Sequence, residues 1–405
     1  MAMKDGFDIQ SSQELEVFVV RNFEEIESIR HIWEKMQAEE PHPKINADID
    51  GYLTISKATG DSLEPYIIVL KESGRPVTML IGRIDKSRLK CTIGRRVLFN
   101  PVLRQLSIVY GGVIGRRTEQ IIRVLVIELM KMLRRSEVDA VYFNHLETDS
   151  FLYRIIRKEP GLLSRCYLPR IENSWRMKVP EDMDSFYRGL PRKHRNNLRR
   201  VIRKLERVYS NKVKVVTYRE PGELDVALKT ISDISATTYQ HAYGLGVVDD
   251  QKTRTILSQA ALLGWLRIDI LYIDSEPAAF QLAMKYGDTY FGDKFGFNPK
   301  WKDFRIGTVL FLRITETLCG DPTVAYYDFG SGDAEYKGSY CDTHWAEGSI
   351  YIFAPRVFPV FVNLILSITS AITILTGHIV TKLGIRSSVQ QYRHRRILEK
   401  KQRVK

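Results

Sequence analysis

The sequence predicts an α/β chain of two tandem units. Each unit is a mixed, mostly antiparallel twisted sheet flanked by helices, and an apolar helical segment follows at the C-terminus. Three observations lead there. Between Leu266 and Phe297, strand-like runs are broken by the turn signals Asp274-Ser275-Glu276-Pro277 and Gly287-Asp288, and the period turns helical only over Phe304–Cys319. The layout strand, acidic turn, proline, strand occurs both in PYIIVLKESGRPVTMLIGRI and in LRIDILYIDSEPAAFQLAMKY. Each time a helix and a further strand follow, VDAVYFNHL in the first case and TVAYYDFG in the second. Finally, Val357–Thr381 carries no charged side chain. The implied boundaries are 1–168 for the first unit, 169–355 for the second, and 356–405 for the apolar segment with its tail.

Taken in order, Glu14–Val20 reads as a short strand. Glu24–Glu39 reads as a helix, with Ile26, Ile29, Trp33 and Met36 three or four residues apart. Glu40-Pro41-His42-Pro43 stops it, and Asp50–Thr59 is helical again. Pro65–Leu70 and Val77–Arg83 form a hairpin around Glu72-Ser73-Gly74-Arg75. Arg96–Ile114 is strand-like, Gln120–Leu133 is an apolar helix and Val138–Phe143 is a strand. Glu172–Pro180 is a strand or linker. A basic helix follows, in which Arg188, Arg192, Arg195, Arg199, Arg203 and Arg207 recur on one face while Leu198, Ile202 and Leu205 form an apolar stripe on another. Val213–Thr217 is a strand, and Glu223–Tyr243 and Gln251–Leu263 are helical.

The chain has 405 residues, 44% of them hydrophobic, which suits folded domains rather than a disordered chain. Its formal net charge of +13 favours anionic partners: nucleic acid, acidic lipid or a phosphorylated small molecule. The four cysteines are scattered and form no CxxC pair, so neither a disulfide framework nor a structural zinc site is expected, and no metal is called for. The first ten residues are polar and do not read as a secretory signal, which favours a cytoplasmic setting. Val357–Thr381 exceeds the roughly 20 residues a bilayer crossing needs. The basic tail that follows would stay on the cytoplasmic side. A helix lying on the inner face of the membrane, a re-entrant pair, a helix buried against the domains and a single span are all open.

From Ser185 to Gly332 the chain resembles the GNAT-like acetyltransferase superfamily, in the branch called Acetyltransf_6 or BioF2-like. PRKHRNNLRRVIRKLE, WLRIDILYIDSEPAAFQLAMKYGDTYFGDKFGFNPKW, RIGTVLFLRITETL and YYDFGSGDAEYK carry the resemblance in that order. The branch is similar to the aminoacyl transferases of peptidoglycan assembly, which look like two GNAT folds in tandem. The resemblance implies acyl transfer from a thioester, acyl-CoA, to an amine or hydroxyl, in cell-envelope or exopolysaccharide work. The first unit lacks comparable motifs, which implies a degenerate copy. Arg305-Ile306-Gly307-Thr308-Val309 keeps the arginine of the family's pyrophosphate loop and lacks its second glycine.

Within this frame, Arg305, Ile306, Gly307 and Thr308 open a helix after a sheet, where free N–H groups favour a phosphate; Gly307 either admits a ligand or serves packing. Asp328 ends a strand before Phe329-Gly330-Ser331-Gly332. There it can take a proton from the acceptor or pin the turn. Tyr336 can donate to a leaving thiolate and Lys337 can hold an anion, or both can belong to the rim. Strict alternation places Tyr290 and Lys294 on one strand face, where Lys294 or Asp293 can line an acceptor pocket. Arg192, Arg195 and Arg199 can grip a lipid-linked diphosphate, RNA or an acidic membrane, or simply be solvated. The competing functions are an aminoacyl-tRNA-dependent transferase acting on a lipid-linked precursor and a non-enzymatic scaffold whose cleft is filled. The account expects one cavity to reach both Ile306 and Asp328.

Overall fold

A computed structural model describes residues 15–60, 63–94, 96–238 and 246–382. Its strands are β1 (Leu15–Val20), β2 (Glu64–Glu72), β3 (Arg75–Arg88), β4 (Cys91–Ile93), β5 (Arg96–Phe99), β6 (Val102–Gly115), β7 (Ala140–Glu147), β8 (Arg170–Lys178), β9 (Val213–Tyr218), β10 (Leu266–Ile273), β11 (Glu276–Tyr286), β12 (Thr289–Phe297), β13 (Tyr326–Ser331) and β14 (Thr343–Phe353). Its helices are α1 (Phe23–Ser28), α2 (Arg30–Ala38), α3 (Ile49–Thr59), α4 (Glu119–Arg134), α5 (Phe151–Lys158), α6 (Met183–Gly189), α7 (Arg192–Tyr209), α8 (Leu224–Thr237), α9 (Gln251–Leu262), α10 (Ile306–Cys319), α11 (Glu335–Tyr340) and α12 (Val357–Lys382).

All strands except β4 and β5 join one sheet of twelve, in the order β1-β2-β3-β6-β7-β14-β8-β13-β12-β11-β10-β9. The two halves repeat each other. Four antiparallel strands lead to one parallel pair, β6 with β7 in the first half and β12 with β13 in the second. The seam is made by exchange. β8 pairs with β13, while β14, the last strand, pairs with both β7 and β8. The mixed, mostly antiparallel sheet and its flanking helices are those the turn and period signals predict.

Each face is closed by amphipathic helices. In the first half α4 and α5 cover one face, with Ile122, Leu125 and Leu129 buried, while α1–α3 cover the other around Trp33 and Tyr52. In the second half α6, α7 and α10 pack on one face. α8 and α9 pack on the opposite one, where α9 meets α3 across the seam. Side-chain bonds reinforce that meeting: Tyr286 donates its hydroxyl to Asp48 at 2.8 Å, and Gln37 reaches the same hydroxyl at 3.3 Å.

Several readings of the sequence change. The expected helix Glu24–Glu39 breaks at Ile29 into α1 and α2. The expected strand Arg96–Ile114 is cut at Asn100-Pro101, because proline supplies no N–H, and its first part forms a separate hairpin with β4. The helix expected over Glu223–Tyr243 is α8 and ends at Thr237; residues 239–243 lie outside the described residues. α5 and β14 had not been expected at all. The apolar segment is one unbroken helix, α12, so it is not a re-entrant pair. The basic tail from Arg386 onward lies outside the described residues.

Candidate functional site

The site forms where the strands of the second half part. β12 and β13 run parallel and pair at three positions, the last being Phe291 with Asp328. Beyond it, β12 continues to Phe297 bonded only to β11, while β13 turns to β8. The result is a wedge through the sheet with its vertex at Phe291 and Asp328.

Alternation along β13 sends its side chains to different destinations. Tyr327 points to the α10 face, 6.0 Å from the Phe311 ring, and stacks on Phe329 at 4.3 Å. Asp328 points the other way and lines a cavity of about 350 Å³ on the α3/α9 side. Lys44, Thr54, Tyr110, Gln259, Phe291 and Asp293 are among its walls, so both halves build it.

Asp328 is 4% exposed and its carboxylate is fully engaged. Oδ2 lies 3.2 Å from Lys44 Nζ and 3.6 Å from an Arg176 guanidinium nitrogen, and Oδ1 accepts the Gly330 N–H at 2.8 Å. Gly330 has φ 67°, the left-handed region that glycine enters without strain. Rings surround the two cations: Tyr110, Phe291 and Trp345 lie within 5.7 Å of Lys44 Nζ, and Tyr326 and Trp345 flank Arg176. The sequence offers Asp328 as a proton acceptor or as the pin of a turn, and in this geometry it pins the turn and pairs with two buried cations.

A second carboxylate completes the seam. Glu347 on β14 is 2% exposed. It accepts from Tyr110 Oη at 2.9 Å, Trp345 Nε1 at 2.7 Å and Ser174 Oγ at 2.6 Å, with His145 Nδ1 at 3.4 Å. Burial alone would raise its carboxyl. The hydrogen bonds from His145, Ser174, Trp345 and Tyr110 overcome that and hold it below the usual glutamate value.

Asp293 differs from both. It is the extra residue of a β-bulge, between the pairs Leu282–Lys294 and Ala283–Gly292. Its side chain lines the cavity, where solvent still reaches it, and the surrounding protein raises its carboxyl above the usual aspartate value. The bulge also corrects the strict alternation. Tyr290 shares its face with Phe295 and Phe297 in the core beneath α10, so Lys294 is shifted out of that face. Tyr290 donates its buried hydroxyl to Asp269 at 2.6 Å and does not line the cavity. Lys294 lies 3.8 Å from the Asp293 carboxylate.

The start of α10 lies across the sheet from this cavity. Arg305 adopts φ 50° and leads into the helix with no side-chain cap. Ile306 is buried among Trp301, Val309 and Leu310, and Thr308 donates its N–H to Arg305 O at 2.8 Å. A Cβ on Gly307 would lie 2.5 Å from the Phe295 ring, so this glycine lets the helix rest on the outer half of β12. None of residues 305–308 lines the cavity, and the expected single cavity reaching both Ile306 and Asp328 is not what the fold builds. The two places are joined instead by the wedge, whose vertex carries Asp328 and whose open end carries Phe295 and Gly307.

Lys337 is buried and donates to the carbonyl oxygens of Gly330 and Ser331 at 3.1 and 2.9 Å, and burial lowers its ammonium from the usual lysine value. It therefore holds the end of β13. Tyr336 is 54% exposed, with its ring 6.4 Å from Phe329. Arg192 and Arg199 are exposed on α7, and Arg195 donates to Tyr187 O at 3.2 Å. All three stand apart from the cavity, beside a shallow depression around Lys193, His194 and Arg200. Among the described residues, no group of three His, Cys, Asp or Glu side chains could hold a metal ion.

Sequence reasoning missed Lys44, Arg176 and Glu347. Lys44 lies in a loop with no periodicity to mark it. For Glu347 there is one usable signal, a carboxylate between aromatic and apolar residues in a run that reads as a strand, since such a group needs partners.

Residues 192–338 match the family described as Acetyltransferase (GNAT) domain. A search of curated proteins finds none that matches. Among solved structures, FemX is similar with a TM-score of 0.55 at 10% identity, over 80% of this chain and 96% of that one. A tandem GNAT protein from the clavulanic acid biosynthesis pathway gives a TM-score of 0.49 at 13% identity, over 84% of this chain and 100% of that one. Residues 192–338 thus form a GNAT-fold domain, and over 80% of its length the chain shares the fold of FemX.

Proposed function

We propose that this protein transfers an acyl group from a thioester donor, acyl-CoA, to an amine or hydroxyl of an acceptor held in the cavity between its halves. The observation that carries the reading is the wedge between β12 and β13. From Gly292 to Phe297 the backbone of β12 faces the gap without a strand partner, among the described residues. An extended arm bearing amides can pair there as an added strand would. Its phosphates would then lie toward the start of α10, near Arg305 and Thr308, and its thioester at the vertex. The acceptor approaches from the cavity side, so the two substrates meet through the sheet.

In this scheme Asp293 takes the proton as the acceptor attacks the carbonyl. A solvent-reached carboxylate with a raised pKa is a stronger base than an ordinary aspartate. The thiolate leaves with the electron pair of the C–S bond, and Tyr336 supplies its proton. The formal net charge of +13 favours an anionic acceptor, a phosphorylated or lipid-linked molecule in the cytoplasm. The cavity between the halves is not filled by side chains, which favours the transferase reading over a non-enzymatic scaffold for polysaccharide assembly.

A donor screen tests the reading. At about one hundred times its Kd, acetyl-CoA or a longer acyl-CoA stabilises the protein by about 2.7 kcal/mol. Inorganic polyphosphate, which presents charge without the arm, gives no comparable shift. Aminoacyl-tRNA is the second donor to screen, because α7 exposes Arg192, Arg199, Arg200 and Arg203 together. Activity abolished by ribonuclease would replace acyl-CoA with RNA as the carrier.

A further inference from the structure

α12 is pinned to the domain by polar residues and turns an apolar stripe outward. Its inner side sets those polar residues beside the buried Val362 and the partly buried Ile365 and Leu366. Asn363 donates to Leu163 O and Arg165 O at 3.1 and 3.0 Å, Thr369 is buried, and Thr373 donates to Thr92 O at 3.1 Å. Its outer side is a stripe of Val357, Phe361, Leu364, Ile368, Leu375 and Ile379, each at least half exposed. Over Val357–Ile379 the mean hydropathy is 2.1, and most of the helix surface faces outward. A helix that bonds its polar side to protein and turns its apolar side outward is matched to a surrounding that is not water.

Two neighbouring elements extend the apolar surface. The β4–β5 hairpin, which contacts α12 through Phe99 and Phe361 at 6.0 Å, exposes Val97 and Leu98. The loop bonded to Asn363 exposes Leu162 and Leu163, each about two thirds. Along the sequence these three pieces carry charge of one sign, while Glu172 and Asp139, just outside them, pair with Arg170 and Arg356. Residues 86–104, 160–171 and 348–398 contain no aspartate or glutamate, while Arg88, Lys90, Arg96, Arg170, Arg356 and Lys382 lie among them. The chain after Lys382 adds eight further Lys and Arg residues against one glutamate. The described parts of these segments are distant in sequence, and α12 meets them through β4 and the loop bonded to Asn363.

We propose that this surface is a docking site for an anionic lipid bilayer, with α12 lying in the plane of the interface. Apolar ridges bordered mainly by Lys and Arg suit acyl chains beneath acidic headgroups. The plane, rather than a crossing, follows from the pins at Asn363 and Thr373. They fasten ten residues of helix, about 15 Å, to the backbone of a folded domain, and that side of the helix cannot enter lipid. A second copy of the chain is disfavoured as the occupant, because pairing like surfaces would bring cation against cation.

The test is co-sedimentation of the full chain with vesicles of phosphatidylcholine plus phosphatidylglycerol, against phosphatidylcholine alone. The wild type pellets with the anionic vesicles and moves to fresh vesicles added later. The variant L364K/I368K/L375K keeps the wild-type melting temperature and binds at least tenfold more weakly. Three results overturn the proposal: no preference for anionic vesicles, binding unchanged in the variant, or a wild-type dimer in solution that the variant dissociates. Failure of the wild type to redistribute between vesicles overturns the in-plane placement. None of these readouts depends on acyl transfer.

Discussion

Asp328→Ala destabilises the protein by about 3–5 kcal/mol, because it leaves Lys44 and Arg176 as buried cations without a counter-charge. The side chains of these two residues are only 13% and 9% exposed, so neither reaches water by a simple rotation. Chemical denaturation measures the loss. The cause is separable from the loss of the Gly330 turn bond by a double-mutant cycle. If the charge is responsible, Lys44→Met together with Asp328→Ala costs clearly less than the two single changes summed. Simple addition would mean that Asp328 acts through the turn alone. Activity falls in the single variant as well, since the vertex of the wedge rests on this residue.

Asp293→Asn lowers kcat by about 10²–10⁴ and leaves both stability and the KM for acyl-CoA nearly unchanged. The side chain is 56% exposed and in a bulge, so its loss opens no cavity and strands no buried partner. In the wild type, kcat/KM rises with pH through the pKa of this carboxyl. Crowding has raised that pKa, so the acid limb lies above the usual aspartate value, near 3.9. The limb disappears in the variant. Full activity in Asp293→Asn, or an acid limb that persists, assigns the proton to another group.

The two predictions treat the site's carboxylates differently, and the sequence does not separate them. Asp328 stands before a glycine-rich turn and looks exposed by its local pattern. Its real partners come from a loop 284 positions earlier and from β8, and no local signal reports such pairings. Asp293 is read correctly as a residue of the central meander, but strict alternation fails there because the bulge inserts one residue. The strands themselves were legible. Hairpins at Ser73-Gly74 and Asp274-Ser275 announce their turns, and each long amphipathic helix shows its stripe. β14 escaped notice because Glu347 and Gly348 interrupt its apolar run. That glutamate is buried among Trp345 on its own strand and three donors from elsewhere in the chain, Tyr110, Ser174 and His145. The start of α10 was recognised as a helix N-terminus; which side of the sheet it packs on is a property of the fold.

The exchange of β8 and β14 gives the seam its role. Arg176 and Ser174 are on β8, Trp345 and Glu347 on β14, Lys44 and Tyr110 in the first half, and Asp328 in the second. No single half contains the complete cluster. A first unit without motifs of its own still supplies the lysine that neutralises Asp328 and one wall of the cavity.

The central claim is that the donor lies in the wedge and the acceptor in the cavity, on opposite sides of the vertex. A crystal structure with an unreactive acyl-CoA analogue tests it most directly. The account predicts the pantetheine arm running along β12 from Gly292 to Phe297, with the sulfur beside Phe291 and Asp328. An analogue bound anywhere else, with β12 and β13 unaltered and the wedge empty, contradicts it.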